Sequence, residues 1–194
     1  MITQSSFYAA AVPAVILLGL SKGGFAGLGV LGMPLMALTI PPVQAAAITL
    51  PILMVQDAFS VWVYRRNWDR TNLKILLPGA IAGFTSMIAH AGGPPFQIYV
   101  IPQQLPRDIF VGTGVMFFAL VNLIKVPPYI ALGQFSRENL LTSAVLFPLA
   151  IVSTWAGVWL VRRISGERFY DIVYVLLLLL GAKLVFNGAR WLLA

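Results

Sequence analysis

Lys22 and His90 are the two residues whose chemistry is least in keeping with their surroundings. Each stands in a glycine cluster within an apolar stretch of membrane length: Gly19-Leu-Ser-Lys-Gly-Gly-Phe-Ala-Gly-Leu-Gly-Val-Leu-Gly-Met-Pro34 and Ala82-Gly-Phe-Thr-Ser-Met-Ile-Ala-His-Ala-Gly-Gly-Pro-Pro95. An ammonium at the centre of a bilayer costs roughly 2.5–3.5 kcal/mol on insertion scales. Lys22 therefore calls for a partner, a wet cavity or a bound anion, unless it lies near enough to an interface to snorkel. Gly23 and Gly24 beside it leave backbone N–H groups open to an oxyanion if the helix breaks there. On an unbroken helix, Gly19, Gly23 and Gly27 form a small-residue face for close packing instead. His90, the one histidine, changes charge near neutrality and is a candidate anion donor or proton carrier, with a satisfied structural histidine as the plainer alternative. Gly92 and Gly93 follow it, and Pro94 and Pro95 interrupt helical hydrogen bonding, with Gln97 and Tyr99 within reach as donors.

Three more polar residues complete the candidate set. Asp57 lies in the second apolar region; Asn122 precedes Lys125 by three residues, about one helical turn, on roughly the same face. Asp57 either pairs with Lys22 or Lys125 or takes up a proton that accompanies an anion. Arg65, Arg66, Arg162, Arg163 and Arg168 read as solvated interface charges. No metal site is expected, because there is no cysteine, one histidine and few carboxylates. No cofactor is expected either. Ser21, Ser60, Ser86 and His90 do not make a hydrolase, since no Gly-x-Ser-x-Gly elbow is present and no acid is placed to orient the histidine. An enzyme is not expected.

These residues are positioned by membrane helices. The 194 residues are 59% hydrophobic and 10% charged, with mean hydropathy +0.88, far from the composition of a soluble domain. Residues 23–56 carry no charge, and within 75–106 only His90 ionises near neutrality; each run exceeds the roughly 20 residues that span a bilayer. Six apolar regions can be drawn, at 7–40, 43–64, 73–89, 109–132, 140–160 and 169–189. The first is too long for one crossing and is glycine-rich at its centre, so an interrupted or re-entrant helix is expected. The opening Met-Ile-Thr-Gln-Ser-Ser-Phe7 lacks a basic n-region, so this segment is expected to stay in the mature protein. Thirteen bases against six acids give +7, a balance suited to anionic headgroups and to an anionic substrate. Two basic loops stand out, at 65–70 and 162–168; strict alternation of six spans puts them on opposite faces, so either one loop breaks the positive-inside rule or the count of spans is wrong.

An internal repeat bears on that conflict. Trp68-Asp-Arg-Thr-Asn-Leu73 aligns with Phe135-Ser-Arg-Glu-Asn-Leu140 at an offset of 67, and residues 25–29 align with 88–92 at an offset of 63. Pro41-Pro42 and Asp57 fall near Pro106 and Asn122 at about 65. Two related halves follow, 1–81 and 82–194, the first apparently shortened. The shortening is either a natural deletion or an omitted segment; Pro78-Gly-Ala-Ile-Ala-Gly-Phe84 reads like two span beginnings joined, so a segment is expected to be missing near 79–84.

With the glycine-rich stretch ending at Pro34, the motif His90-Ala-Gly-Gly-Pro-Pro95, and then Tyr99, Phe117-Phe118, Asn122, Lys125 and Gly133-Gln-Phe-Ser-Arg-Glu-Asn-Leu140, the chain resembles the sulfite exporter TauE/SafE family over nearly its whole length. The resemblance implies two halves of about four helices and the movement of sulfite, sulfonates or related sulfur-containing anions across the bacterial inner membrane. Lys22, His90 and the short first half depart from the family's common pattern. The expectation is therefore an all-α, multi-pass transmembrane bundle acting as a secondary transporter, with the lipid bilayer and a small sulfur anion as partners and no nucleic acid. Its expected substrate contacts are Lys22, Gly23, Gly24, His90, Gly92, Gly93, Gln97, Asn122 and Lys125, with Asp57 and His90 for charge pairing or proton coupling. The alternative is an anion channel or a non-transporting membrane subunit.

Overall fold

The computed structural model describes residues 2–25, 27–75 and 93–193, which form helices joined by short turns and loops, with no strand among them. Helix α1 (Ser5–Gly23) stops where glycine permits it: Gly24 and Gly27 take φ of 138° and 104°, values that side chains with a Cβ rarely adopt. A 3-10 turn (Leu28–Leu31) and a short α2 (Gly32–Met36) then fold back along α1. The register is antiparallel: a Cβ on Gly29 would lie 2.8 Å from Ser21 Oγ, and one on Gly32 would lie 2.5 Å from Leu18 Cγ. The first apolar region is thus a re-entrant hairpin, as its length and glycines imply. Freed carbonyls at the break are satisfied from the next helix, α3 (Pro42–Tyr64), where Ser60 Oγ donates to Lys22 O at 3.3 Å and Tyr64 Oη to Gly23 O at 3.1 Å.

Beyond the loop at 65–69, residues 70–75 are helical. The expectation of a missing segment near 79–84 lies outside the described residues, as do His90 and Gly92. The chain is described again from α4 (Gly93–Val100), whose first turn holds Pro94 and Pro95, where an absent N–H breaks no helical bond. After a 3-10 turn (Ile101–Gln103) come α5 (Arg107–Ala131), α6 (Arg137–Arg162) and α7 (Gly166–Leu193). Among the described residues α1, α3, α5 and α6 are long and apolar enough to cross a membrane. Each contains at least one internal proline, which packed membrane helices tolerate when neighbours occupy the freed carbonyls.

Side-chain contacts fix the helix directions. Gly19 packs on Ser153 and Gly23 on Gly157, so α1 and α6 run parallel with backbones too close for a side chain at either glycine. Gln56 Nε2 reaches Val15 O at 3.4 Å and Ser60 reaches Lys22 O, so α3 is parallel to α1. Gln44 Nε2 donates to Asn139 Oδ1 at 3.3 Å and Ser143 Oγ to Ile48 O at 2.9 Å, which aligns α3 with α6. Helix α5 runs the other way. Its first turns meet the end of α3, with Asp69 N donating to Thr113 Oγ1 at 2.8 Å, while Tyr129 near its end packs with Ala46, Ala47 and Leu50 at the start of α3.

These directions resolve the conflict between the two basic loops in favour of a wrong span count. Because α3 and α6 are parallel, Arg65, Arg66 and Arg70 emerge at the same end as Arg162, Arg163 and Arg168. The Arg162 guanidinium sits 6.0 Å from the Tyr64 ring centroid, and Arg107 Nη1, at the start of α5, donates to Val161 O at 3.1 Å. Simple alternation failed because the described residues on either side of the third apolar region lie together: Asn72 Nδ2 donates to Gln103 Oε1 at 2.8 Å and Asp69 N to Thr113 Oγ1, so α5 starts at the end where α3 stops and two crossings, α5 and α6, separate the loops.

Candidate functional site

Helix α5 presents Gly114, Phe118, Asn122 and Lys125 along one face at spacings of four, four and three, and all four line a cavity of about 100 Å³. The opposite wall is the broken end of α1 with its return, including Ser21, Lys22 and Gly24, and α4 contributes Phe96 and Gln97. A space of this size accommodates a few waters or one small oxyanion. It lies where the helix break requires it: irregular backbone at membrane depth is tolerated where it borders a cavity or is buried in protein.

The charged groups are held in a definite order. Lys22 Nζ stands 2.5 Å from Asp57 Oδ1, with the two side chains 11% and 6% exposed. The other carboxylate oxygen, Oδ2, accepts from Asn122 Nδ2 at 2.6 Å. The Lys22 ammonium also lies 5.3 Å from the Phe118 ring centroid, close enough for a cation–π contribution of about 0.5–2 kcal/mol. Lys125 is 4% exposed and, among the described residues, makes no hydrogen bond or ion pair. Two ammonium groups facing one carboxylate leave one positive charge uncompensated. Gln97 adds a polar group: it is 3% exposed, and its Oε1 has no hydrogen-bond partner among the described residues. A buried amide oxygen left in that state costs about 1–3 kcal/mol, which a bound donor or an ordered water would recover.

Of the residues singled out in the sequence, Lys22, Gly24, Gln97, Asn122 and Lys125 line the cavity, and Asp57 stands behind Lys22 as its partner. Gly23 does not line it. Its Cα faces the opposite side, against Gly157 of α6, so it serves the close helix packing that was its alternative reading. Gly93 opens α4, one turn before Gln97. His90 and Gly92 fall outside the described residues. Sequence reading passed over Phe118, Phe96, Ser21 and Gly114 as wall residues. Phe118 and Gly114 were within reach, since they precede Asn122 by four and eight residues and share its helical face. Phe96 carried no such signal, because its place depends on how α4 docks.

A family model described as sulfite exporter TauE/SafE matches the chain over residues 11–84 and 75–184. No curated protein and no solved structure matches it.

Proposed function

The chain belongs to the sulfite exporter TauE/SafE family of membrane transporters, and from that premise we propose that the cavity between the α1 hairpin, α4 and α5 is the substrate site of a secondary transporter for a small sulfur-containing anion, sulfite or a short organosulfonate. The observation that carries the reading is the uncompensated positive charge: Lys22 and Lys125 against Asp57, buried at membrane depth. A buried charge without a partner is unfavourable by several kcal/mol, and an anion is the species that relieves it. Lys125 supplies the direct charge, Lys22 a second cation restrained by Asp57, and the Gln97 amide N–H a polar contact; the backbone N–H groups of Gly24 and Phe25 already donate to Ser21 O and Leu20 O at the end of α1. Gly92, Gly93 and His90 are placed with this site on the strength of the sequence pattern, His90 as a donor or proton carrier.

We read the molecule as two related halves, 1–81 and 82–194. Asp57 and Asn122, which meet by a hydrogen bond, stand 65 residues apart, close to the repeat offset. Tyr64 and Tyr129 stand at the same separation. Residues at equal positions on antiparallel helices α3 and α5 meet when a pseudo-two-fold axis runs between them, in the membrane plane, and this is the geometry of an inverted repeat with its substrate site at the midplane. The shared basic end supports reading the side of Arg65, Arg66, Arg162, Arg163 and Arg168 as cytoplasmic, in a bacterial inner membrane.

The test is flux of labelled sulfite in proteoliposomes containing the wild type or Lys125→Met. Saturable flux in the wild type and its loss in the variant are the expected results. Equal flux in both would remove the cavity as the site, and an ohmic, non-saturating conductance would replace the carrier by a channel.

A further inference from the structure

We infer that Asp57 sets the charge of the anion this cavity accepts: by neutralising Lys22 it leaves one net positive charge, and the site thereby selects singly charged oxyanions over doubly charged ones of similar size. The inference rests on the proposed function in taking the cavity as the substrate site. Both carboxylate oxygens of Asp57 are engaged, Oδ1 by Lys22 at 2.5 Å and Oδ2 by Asn122 at 2.6 Å, so its negative charge is fixed directly behind two residues that line the cavity. The other charged group on the wall is Lys125, 4% exposed and without an ionic partner among the described residues. Asn122 and Gln97 are neutral, and Phe96, Phe118 and Val115 complete the neighbouring wall with apolar surface.

The consequence follows from electrostatics in a poorly solvated space. A monoanion beside Lys125 brings the site to neutrality. A dianion leaves one negative charge facing phenylalanine rings, with Lys22 already committed to Asp57. Stranding a charge in such surroundings is the situation that buried sites avoid most strongly. Size offers little discrimination among tetrahedral sulfur oxyanions, so charge is the property left for the site to read.

The experiment compares equilibrium binding of methanesulfonate, a monoanion, and sulfate, a dianion, to the full chain in detergent at pH 7.5. The wild type should prefer methanesulfonate by at least about tenfold, a 1.4 kcal/mol step. Asp57→Asn raises the fixed charge by one and should shift the ratio toward sulfate by at least about tenfold. Lys22→Met/Asp57→Asn restores the wild-type charge by another route and should return the methanesulfonate preference. A ratio unmoved by Asp57→Asn overturns the inference while leaving the cavity as the site. Where Asp57→Asn does not purify as a folded species, loss of the monoanion preference in the double variant overturns it equally. Binding of neither anion by the wild type removes the site and the inference together.

Discussion

Replacing Lys22 by methionine strands the Asp57 carboxylate, and the size of the effect can be worked from its surroundings. The ion pair is 2.5 Å long and its side chains are 11% and 6% exposed, so solvent screening is slight. At an effective dielectric near 20, unit charges about 4 Å apart attract by roughly 4 kcal/mol, and breaking a buried pair from one side typically costs about 3–5 kcal/mol. Asn122 Nδ2 still donates to Asp57 in the variant, a bond to a charged group that contributes about 1.5–3 kcal/mol. That retained contact places the expected loss at the lower end, about 3 kcal/mol. Asp57→Asn should cost a similar amount by leaving Lys22 unpaired. The double variant Lys22→Met/Asp57→Asn carries neither charge and keeps a polar partner for Asn122, so its expected loss is below about 1.5 kcal/mol. The assay is reversible unfolding of the purified protein in mixed micelles, read as a double-mutant cycle. The expected signature is strong non-additivity, the two single losses exceeding the double by several kcal/mol. A coupling under about 0.5 kcal/mol, the range for independent sites, would refute the argument and make Lys22–Asp57 a solvated pair of the kind that contributes almost nothing.

Three further outcomes follow from other parts of the fold. Lys125→Met removes a buried charge and breaks no ion pair among the described residues, so it should stabilise the anion-free protein against unfolding by about 1–4 kcal/mol while abolishing anion binding measured by calorimetry. Gly23→Ala puts a Cβ within 2.5 Å of Gly157 Cα and Val158 N, backbone atoms that cannot turn aside, and should destabilise by about 1–3 kcal/mol in the same unfolding assay, whereas Gly166→Ala, with open space around it, should cost little. The chain has no cysteine, so Arg66→Cys and Arg163→Cys can be labelled singly from either side of oriented vesicles; parallel α3 and α6 require both to react from the same side, and reaction from opposite sides would contradict the helix directions.

Composition and local sequence determined a good deal. Apolar runs longer than a bilayer is thick can satisfy their backbone in hydrocarbon only as helices, which made the all-α bundle legible without any contact being known. The glycine-rich centre of the first region announced its break, since Gly24 and Gly27 adopt backbone angles that other residues resist. Lys22, Asp57, Asn122 and Lys125 drew attention because charge and amides are costly in such segments and so must be paired or used. What sequence could not determine was which of them are paired and which are left for a ligand. Asp57 had two candidate partners, and the choice of Lys22 over Lys125 depends on α3 lying parallel to α1 and antiparallel to α5. Long-range contact explains the basic loops as well: alternation counts spans, whereas Asn72 and Gln103 meet across the third apolar region, so α5 starts at the end where α3 stops. Gly23 was ambiguous for a related reason. The residue tolerates both close approach of a helix and close approach of an anion, and only the seating of Gly157 against it made it a packing contact. Periodicity can place a residue on a face, but the neighbour that face meets is decided by long-range packing, and in this protein that packing leaves Lys125 as the charge still to be balanced.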